Sequence, residues 1–235
     1  MQDLNILKEF LIEKGFEDVE EKLNKFGVYF DMLVEWNEKF NLTAITDKEG
    51  VQIKHFIDSL LGNEFIQNCS TICDIGCGAG FPSIPLAIVN PDIKFTLVDS
   101  VNKKINFINH IIDILSLKNV TALHSRVEDF AKQNFEKYDC CVARAVAQLP
   151  TLAEYTLPLL KAGGKLVAYK GINFEEELNN SNKILDILNS KFDSINEYNL
   201  LNNEKRCLII VKKLRNCSSK YPRGGNKPRI QPIIG

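Results

Sequence analysis

The sequence predicts an α/β fold built on a doubly wound, mainly parallel sheet. Three observations carry that expectation. A strand-like run enters a glycine turn over 72–80; beyond it, apolar runs of strand length alternate with helical patterns as far as residue 188; and two further strand-like runs, 194–200 and 207–212, are joined by a polar link short enough for an antiparallel hairpin. At 235 residues and 45% hydrophobic content the chain can bury one sizeable core. Residues 1–67 are expected to form an N-terminal helical extension packed on the core, 68–215 the core itself, and 216–235 a basic C-terminal arm.

The elements follow in order. Leu4, Leu7, Phe10 and Leu11 share one helical face, Gly15 ends that segment, and Val19, Leu23, Phe26, Phe30, Leu33 and Phe40 continue at helical spacing, with Gly27 a candidate break. Thr46-Asp47-Lys48-Glu49 reads as a capping box ahead of Ile53, Phe56, Ile57, Leu60 and Leu61, leaving Lys54, His55, Asp58 and Ser59 on the other faces. After the glycine turn, 81–89 is helical, Pro82 and Pro85 being tolerated in the first turn. A strand over 95–98 ends at Asp99, and Ser100 can cap a helix over 105–115. A third strand, 120–123, leads into Ser125-Arg126-Val127-Glu128; a fourth, 140–143, ends at Arg144. A short helix over 149–160 and a turn at 161–164 precede a fifth strand, 165–169, which ends at Lys170. Helix is expected again over 175–188. Residues 220–229 hold turn formers and cations without an apolar face, and read as a loop or flexible arm.

Parallel sheets bind ligands beyond the carboxyl ends of their strands. That rule gathers Asp74, Gly76, Gly78, Gly80, Asp99, Glu128, Arg144 and Lys170 at one crevice. The glycine spacing departs from the dinucleotide fingerprint, whose third glycine would fall where Phe81 stands. Asp74 before the turn and Asp99 at the next strand end suit an adenosine-bearing cofactor instead. A carboxylate at 99 can accept from both ribose hydroxyls, and Val127 and Glu128 are placed to meet an adenine ring. Structural roles stand beside these: Asp99 could cap the following helix, Glu128 could pair with Arg126, and a lone histidine such as His55 is more often an ordinary hydrogen-bonding residue than a catalyst.

Composition narrows the classes further. No apolar run approaches the length of a membrane span, and the first residues lack the basic-then-apolar order of a signal peptide, so a cytoplasmic protein without membrane contact is expected. The seven cysteines include no C-x-x-C pair; Cys69, Cys73 and Cys77 recur every four residues, but no metal site is expected. Charge is uneven. After Glu204 there is no acidic residue, and 205–235 hold nine Lys/Arg, an asymmetry that suits contact with a polyanion, although a solvated strand and tail would look the same.

The turn Asp74-Ile75-Gly76-Cys77-Gly78-Ala79-Gly80 resembles motif I of class I S-adenosylmethionine-dependent methyltransferases. Asn41-Leu42-Thr43-Ala44-Ile45, His55-Phe56-Ile57-Asp58-Ser59, Gly80-Phe81-Pro82-Ser83-Ile84-Pro85-Leu86, Ser125-Arg126-Val127-Glu128, Ala143-Arg144-Ala145, Lys170-Gly171 and Lys220-Tyr221-Pro222-Arg223 together resemble the glucose-inhibited division protein B family over roughly residues 28–228. That resemblance implies a seven-stranded Rossmann-like methyltransferase sheet. It also implies S-adenosylmethionine as cofactor and methyl transfer to N7 of a guanine in 16S ribosomal RNA, either free or in the small ribosomal subunit. It places Gly76, Phe81, Val127, Glu128 and Arg144 at cofactor-binding positions. Two departures are visible, Ser83 where relatives often have glycine and Cys77 where they often have a smaller residue or threonine. Guanine N7 carries a lone pair and no proton, so no general base is expected; Arg144, Lys170 and His55 are candidates for positioning the base or nearby phosphates, and the basic arm for tracking phosphates. A methyltransferase acting on a small molecule or protein, and a non-catalytic ribosome-assembly factor, remain as alternatives. The basic arm counts against the first, and the intact glycine turn with Asp99 against the second. The oligomeric state is open, with a monomer as the default.

Overall fold

A computed structural model describes residues 4–172 and 174–235. Helices α1 (Asn5–Glu13) and α2 (Val19–Asn37) come first. A continuous helical segment follows, made of α3 (Lys48–Gly50), a π-helical stretch (Val51–Ile57) and α4 (Asp58–Leu60). The core alternates β1 (Thr71–Ile75), α5 (Ser83–Val89), β2 (Lys94–Asp99), α6 (Asn102–Ile114), β3 (Val120–His124), α7 (Val127–Gln133), β4 (Tyr138–Arg144), α8 (Leu149–Thr156) and β5 (Leu160–Lys170). Two short helices, α9 (Glu175–Asn179) and α10 (Asn182–Ile187), lead to β6 (Ser190–Asn199) and β7 (Lys205–Lys213), and α11 (Lys227–Ile230) lies near the end.

The seven strands run in the order β3-β2-β1-β4-β5-β7-β6. β1 to β5 are parallel, and β7 enters antiparallel between β5 and β6, which closes the sheet with the expected hairpin. Successive strand residues point to opposite faces. Ile72, Leu97, Val142, Val167 and Ile210 therefore join the core shared with α1, α2, α5 and α6, while Cys73, Ile75, Val98, Cys141, Ala168 and Ile209 join the core shared with α8 and α10. Both faces are covered along the central strands, as their near-continuous apolar runs require, while β3 and β6 at the edges are largely exposed. No helix among the described residues is long and apolar enough to cross a membrane.

Several local expectations change. Gly27 sits inside an unbroken α2, where packing of Phe26 and Phe30 outweighs a glycine's modest helix penalty. Ser100 is not the cap of α6, whose N-terminus has no side-chain cap; the Asp99 carboxylate accepts from the amide of Val101, just before the helix, at 2.9 Å. The 161–164 turn is an irregular part of β5, whose register against β4 shifts between Tyr138 and Cys140. The helix predicted over 175–188 is broken into α9 and α10. Asp47 alone caps the third helical segment, accepting from the Gly50 amide at 2.7 Å. In that segment Ile53, Phe56, Ile57 and Leu60 enter the core as predicted, yet His55 and Asp58 are buried too. The ends of β4, β5 and β7 cover the face that periodicity assigned to solvent.

Candidate active site

The glycine turn leaves β1 with its first amides tied to the neighbouring strand. Gly76 and Cys77 both donate to the Val98 carbonyl, at 2.7 and 3.2 Å. Gly76 has φ +71°, and a Cβ there would stand 3.0 Å from Val146. At Gly80 (φ +97°) a Cβ would lie 2.6 Å from Ile84, 2.8 Å from Ile108 and 2.9 Å from the Tyr29 hydroxyl. The N-terminal extension thus buttresses the turn directly, since Tyr29 also donates to the Ala79 carbonyl at 2.5 Å. Gly80→Ala is expected to destabilise the protein by at least about 2 kcal/mol, from left-handed strain plus overpacking, measurable by chemical denaturation.

Asp99 holds the turn from the other side. Its Oδ2 accepts from the Gly78 amide at 3.0 Å and its Oδ1 from Val101, with Lys104 Nζ at 3.9 Å. Asp99 therefore braces the segment entering α6 without capping the helix, and still has lone pairs free, because a carboxylate offers about four acceptor sites. It lines a cavity of about 150 Å³ with Gly76, Val127 and Glu128, the cluster predicted for an adenosine. Part of the wall was not predicted: it is formed by Val146 after β4, Tyr155 of α8, and Asn226 and Arg229 of the C-terminal arm.

Asp74 lies under the turn, 1% exposed. Ser83, the departure from the family pattern, donates to Asp74 Oδ2 at 2.6 Å, so the extra hydroxyl is absorbed by this carboxyl. Oδ1 has no partner. Burial pushes the Asp74 carboxyl up from 3.8 to about 7, with Asp99 adding to the rise and Ser83 and Arg144 opposing it. An unpartnered buried carboxylate oxygen beside a glycine cradle, and a ribose-type carboxylate at the next strand end, fit S-adenosylmethionine. Asp74 would hold its ammonium, Gly76 and Gly78 its backbone approach, Asp99 its ribose, and Val127 and Glu128 its adenine.

The shift has a testable sign. Because the folded pKa lies above the unfolded one, the ligand-free protein binds the extra proton and loses stability as pH rises from about 4 towards 7. A cationic ligand favours the ionised form, so cofactor affinity should rise roughly tenfold between pH 6 and pH 8, with proton release. Calorimetry in buffers of different ionisation heat would read it. Asp74→Asn should flatten the profile while raising the melting temperature of the ligand-free protein at pH 8.

Of the remaining predicted residues, His55, Arg144 and Lys170 gather in a second cavity of about 390 Å³, lined also by Lys54, Asp58 and Arg206 among others, while Phe81 lines neither cavity. One crevice was expected; Arg144 to Val146, after β4, lie between two. Arg144 donates to Asp58 Oδ2 at 2.7 Å and to the Lys54 carbonyl at 3.0 Å, and its guanidinium lies 5.0 Å from the Phe81 ring centroid. Burial raises the Asp58 carboxyl, against the pull of Arg144. His55 stacks on Phe81 at 4.4 Å, and its Nε2 is 2.8 Å from the Thr43 hydroxyl. Burial first and the Arg144 charge second lower its pKa to about 3, so the ring is neutral at physiological pH. Lys170 is occupied, donating to the Ala147 carbonyl at 2.8 Å and to Glu177 at 2.5 Å. Asp58 was legible only as a member of the His55-to-Ser59 motif, and Arg206 carried no signal beyond charge. A larger cavity, about 630 Å³, opens beside Phe10, Lys14 and Asn90 at the amino ends of β1 and β2, opposite to where parallel sheets place ligands.

Residues 22–209 match the family described as rRNA small subunit methyltransferase G. Proteins named ribosomal RNA small subunit methyltransferase G from Acetivibrio thermocellus and Bacillus subtilis are 45% and 42% identical to this chain, the alignments covering 97% and 96% of it and 97% and 96% of those proteins. The structure resembles an O-methyltransferase from Bacillus cereus in complex with SAH (TM-score 0.58, 16% identity, 79% of this chain and 91% of that one). It also resembles TYW2 from M. jannaschii in complex with AdoMet (TM-score 0.50, 12% identity, 66% and 74%). At those identities the likeness establishes the methyltransferase fold, and the sequence matches establish the rest: the chain belongs to the rRNA small subunit methyltransferase G family.

Proposed function

We propose that this protein transfers the methyl group of S-adenosylmethionine to N7 of a guanine in 16S ribosomal RNA, in the cytoplasm. The observation that carries the reading is the pairing of two cavities across the segment that follows β4. One holds Asp99 and Glu128, the carboxylates an adenosine needs; the other holds four cations, Lys54, Arg144, Lys170 and Arg206. When bound, the cofactor would supply a methyl activated by a sulfonium, with a neutral thioether as the leaving group. The acceptor uses its own lone pair and sheds no proton in the step, which agrees with a site whose histidine is held neutral. What the protein contributes is alignment and exclusion of water. Phe81 carries His55 stacked on its ring and Arg144 over it, which holds both beside the acceptor cavity they line. Arg144 is fixed by Asp58, and Lys170 by Glu177, so both present charge from set positions. Lys220 and Lys227 are exposed and suit RNA phosphates.

Transfer of labelled methyl from S-adenosylmethionine to small-subunit RNA, followed by the strand scission that N7-methylguanine permits, tests the reading. Label confined to protein or small molecules would reject the substrate class. Label in RNA without scission would reject N7.

A further inference from the structure

The last fifteen residues do not hang free. Arg223 forks onto Glu154 of α8, Nε to Oε1 and Nη2 to Oε2 both at 2.8 Å, and its backbone amide adds a third bond to Oε1 at 2.9 Å. Glu154 is 1% exposed. Five residues on, the Pro228 carbonyl accepts from the Thr151 hydroxyl at 2.8 Å, and Pro228 and Tyr221 are buried. Between these anchors Asn226 takes a left-handed conformation (φ 60°), which asparagine tolerates better than most residues. Its half-buried side chain faces the donor cavity, with the Tyr155 hydroxyl 3.5 Å from its Oδ1. Arg229, one turn later, reaches the same cavity.

The chemistry of that wall complements what the core leaves unread. Glu128 and the β3 end approach the cavity from one side and offer a carboxylate and backbone groups. Adenine presents an exocyclic amine beside ring-nitrogen acceptors, a donor next to an acceptor. An asparagine amide carries the matching acceptor and donor on one plane, and a planar guanidinium can lie against a ring face. Neither residue type would be needed for a wall that only excluded water.

We propose that the C-terminal arm completes the cofactor site, with Asn226 hydrogen-bonding the adenine edge and Arg229 closing over the ring. This rests on S-adenosylmethionine as the cofactor but not on the identity of the acceptor. The arm is then part of the donor pocket before it is an RNA-binding element, and the Glu154–Arg223 pair is the latch that positions it.

Calorimetric binding of S-adenosylmethionine and of its inosyl analogue, without RNA, tests this. Asn226→Gly removes the side chain while keeping the left-handed backbone. It should weaken the adenosyl ligand by roughly tenfold, the net worth of one or two hydrogen bonds, and the inosyl ligand much less. Arg223→Ala, which releases the whole arm, should weaken both ligands at least as much. Melting curves will show whether each variant is folded. Unchanged affinity in both folded variants would overturn the proposal. Loss in Arg223→Ala with none in Asn226→Gly would overturn the adenine contact and leave the arm as packing alone. Failure of the wild-type protein to bind S-adenosylmethionine would instead remove the cofactor reading itself.

Discussion

Asp99→Ala should weaken S-adenosylmethionine binding by roughly a hundred- to ten-thousandfold, the loss of two charge-assisted hydrogen bonds at about 1.5–3 kcal/mol each. The carboxylate is 6% exposed, and both oxygens are already engaged by backbone amides of the glycine turn and of the segment entering α6. Those two bonds hold it at one orientation, so its remaining lone pairs point from a set position and little is lost in ordering it when a ribose arrives. They also give the alanine variant a second defect, a turn whose Gly78 amide has lost its acceptor. Asp99→Asn separates the two effects, because an amide oxygen can still accept from one of the two amides while the charge is gone. It should recover part of the stability and less of the affinity. Calorimetry on both variants, beside their melting temperatures, reads the difference; affinity within threefold of wild type for Asp99→Ala would remove the ribose role.

Arg223→Ala should cost about 3 kcal/mol of stability, the penalty for leaving a buried carboxylate without its cation. Glu154 keeps only the backbone amide of residue 223 as a donor, and that amide sits on a segment now freed from its side-chain anchor. Arg223 Nη2 also donates to the Gln231 carbonyl at 2.8 Å, so the same substitution loosens the chain beyond α11. Lysine at 223 restores charge but not the fork, since an ammonium cannot engage both carboxylate oxygens in the same plane, and should recover less than half of the loss. Chemical denaturation of the three proteins tests the order. An Arg223→Ala protein as stable as wild type would mean that Glu154 is rehydrated when the arm lifts.

The position of Arg223 changes the reading of the C-terminal charge. Arg223 is committed to Glu154, Lys213 is fully buried against Glu136 at 3.0 Å, and Arg206 pairs with Glu204 at 2.7 Å. The nine cations after Glu204 thus split into these three structural partners and six that are exposed, Lys205, Lys212, Arg215, Lys220, Lys227 and Arg229. Composition could count the charges, but only the fold says which of them face solvent.

The sequence by itself determined the local and the repetitive. Alternation of apolar residues set the strands and the order of strand and helix, the glycine turn with Asp74 and Asp99 announced an adenosine site, and a run of motifs named the family. These are properties of neighbours a few residues apart, which periodicity records. Tertiary structure decided everything that depends on partners distant in sequence: Tyr29 under the glycine turn, Asp58 and His55 against Arg144, and the arm on α8. In each case a polar or charged side chain that local pattern assigns to solvent is buried because another element covers it. No window of sequence contains that element, so a helix face reads as exposed and an arm as flexible until the chain has folded over them.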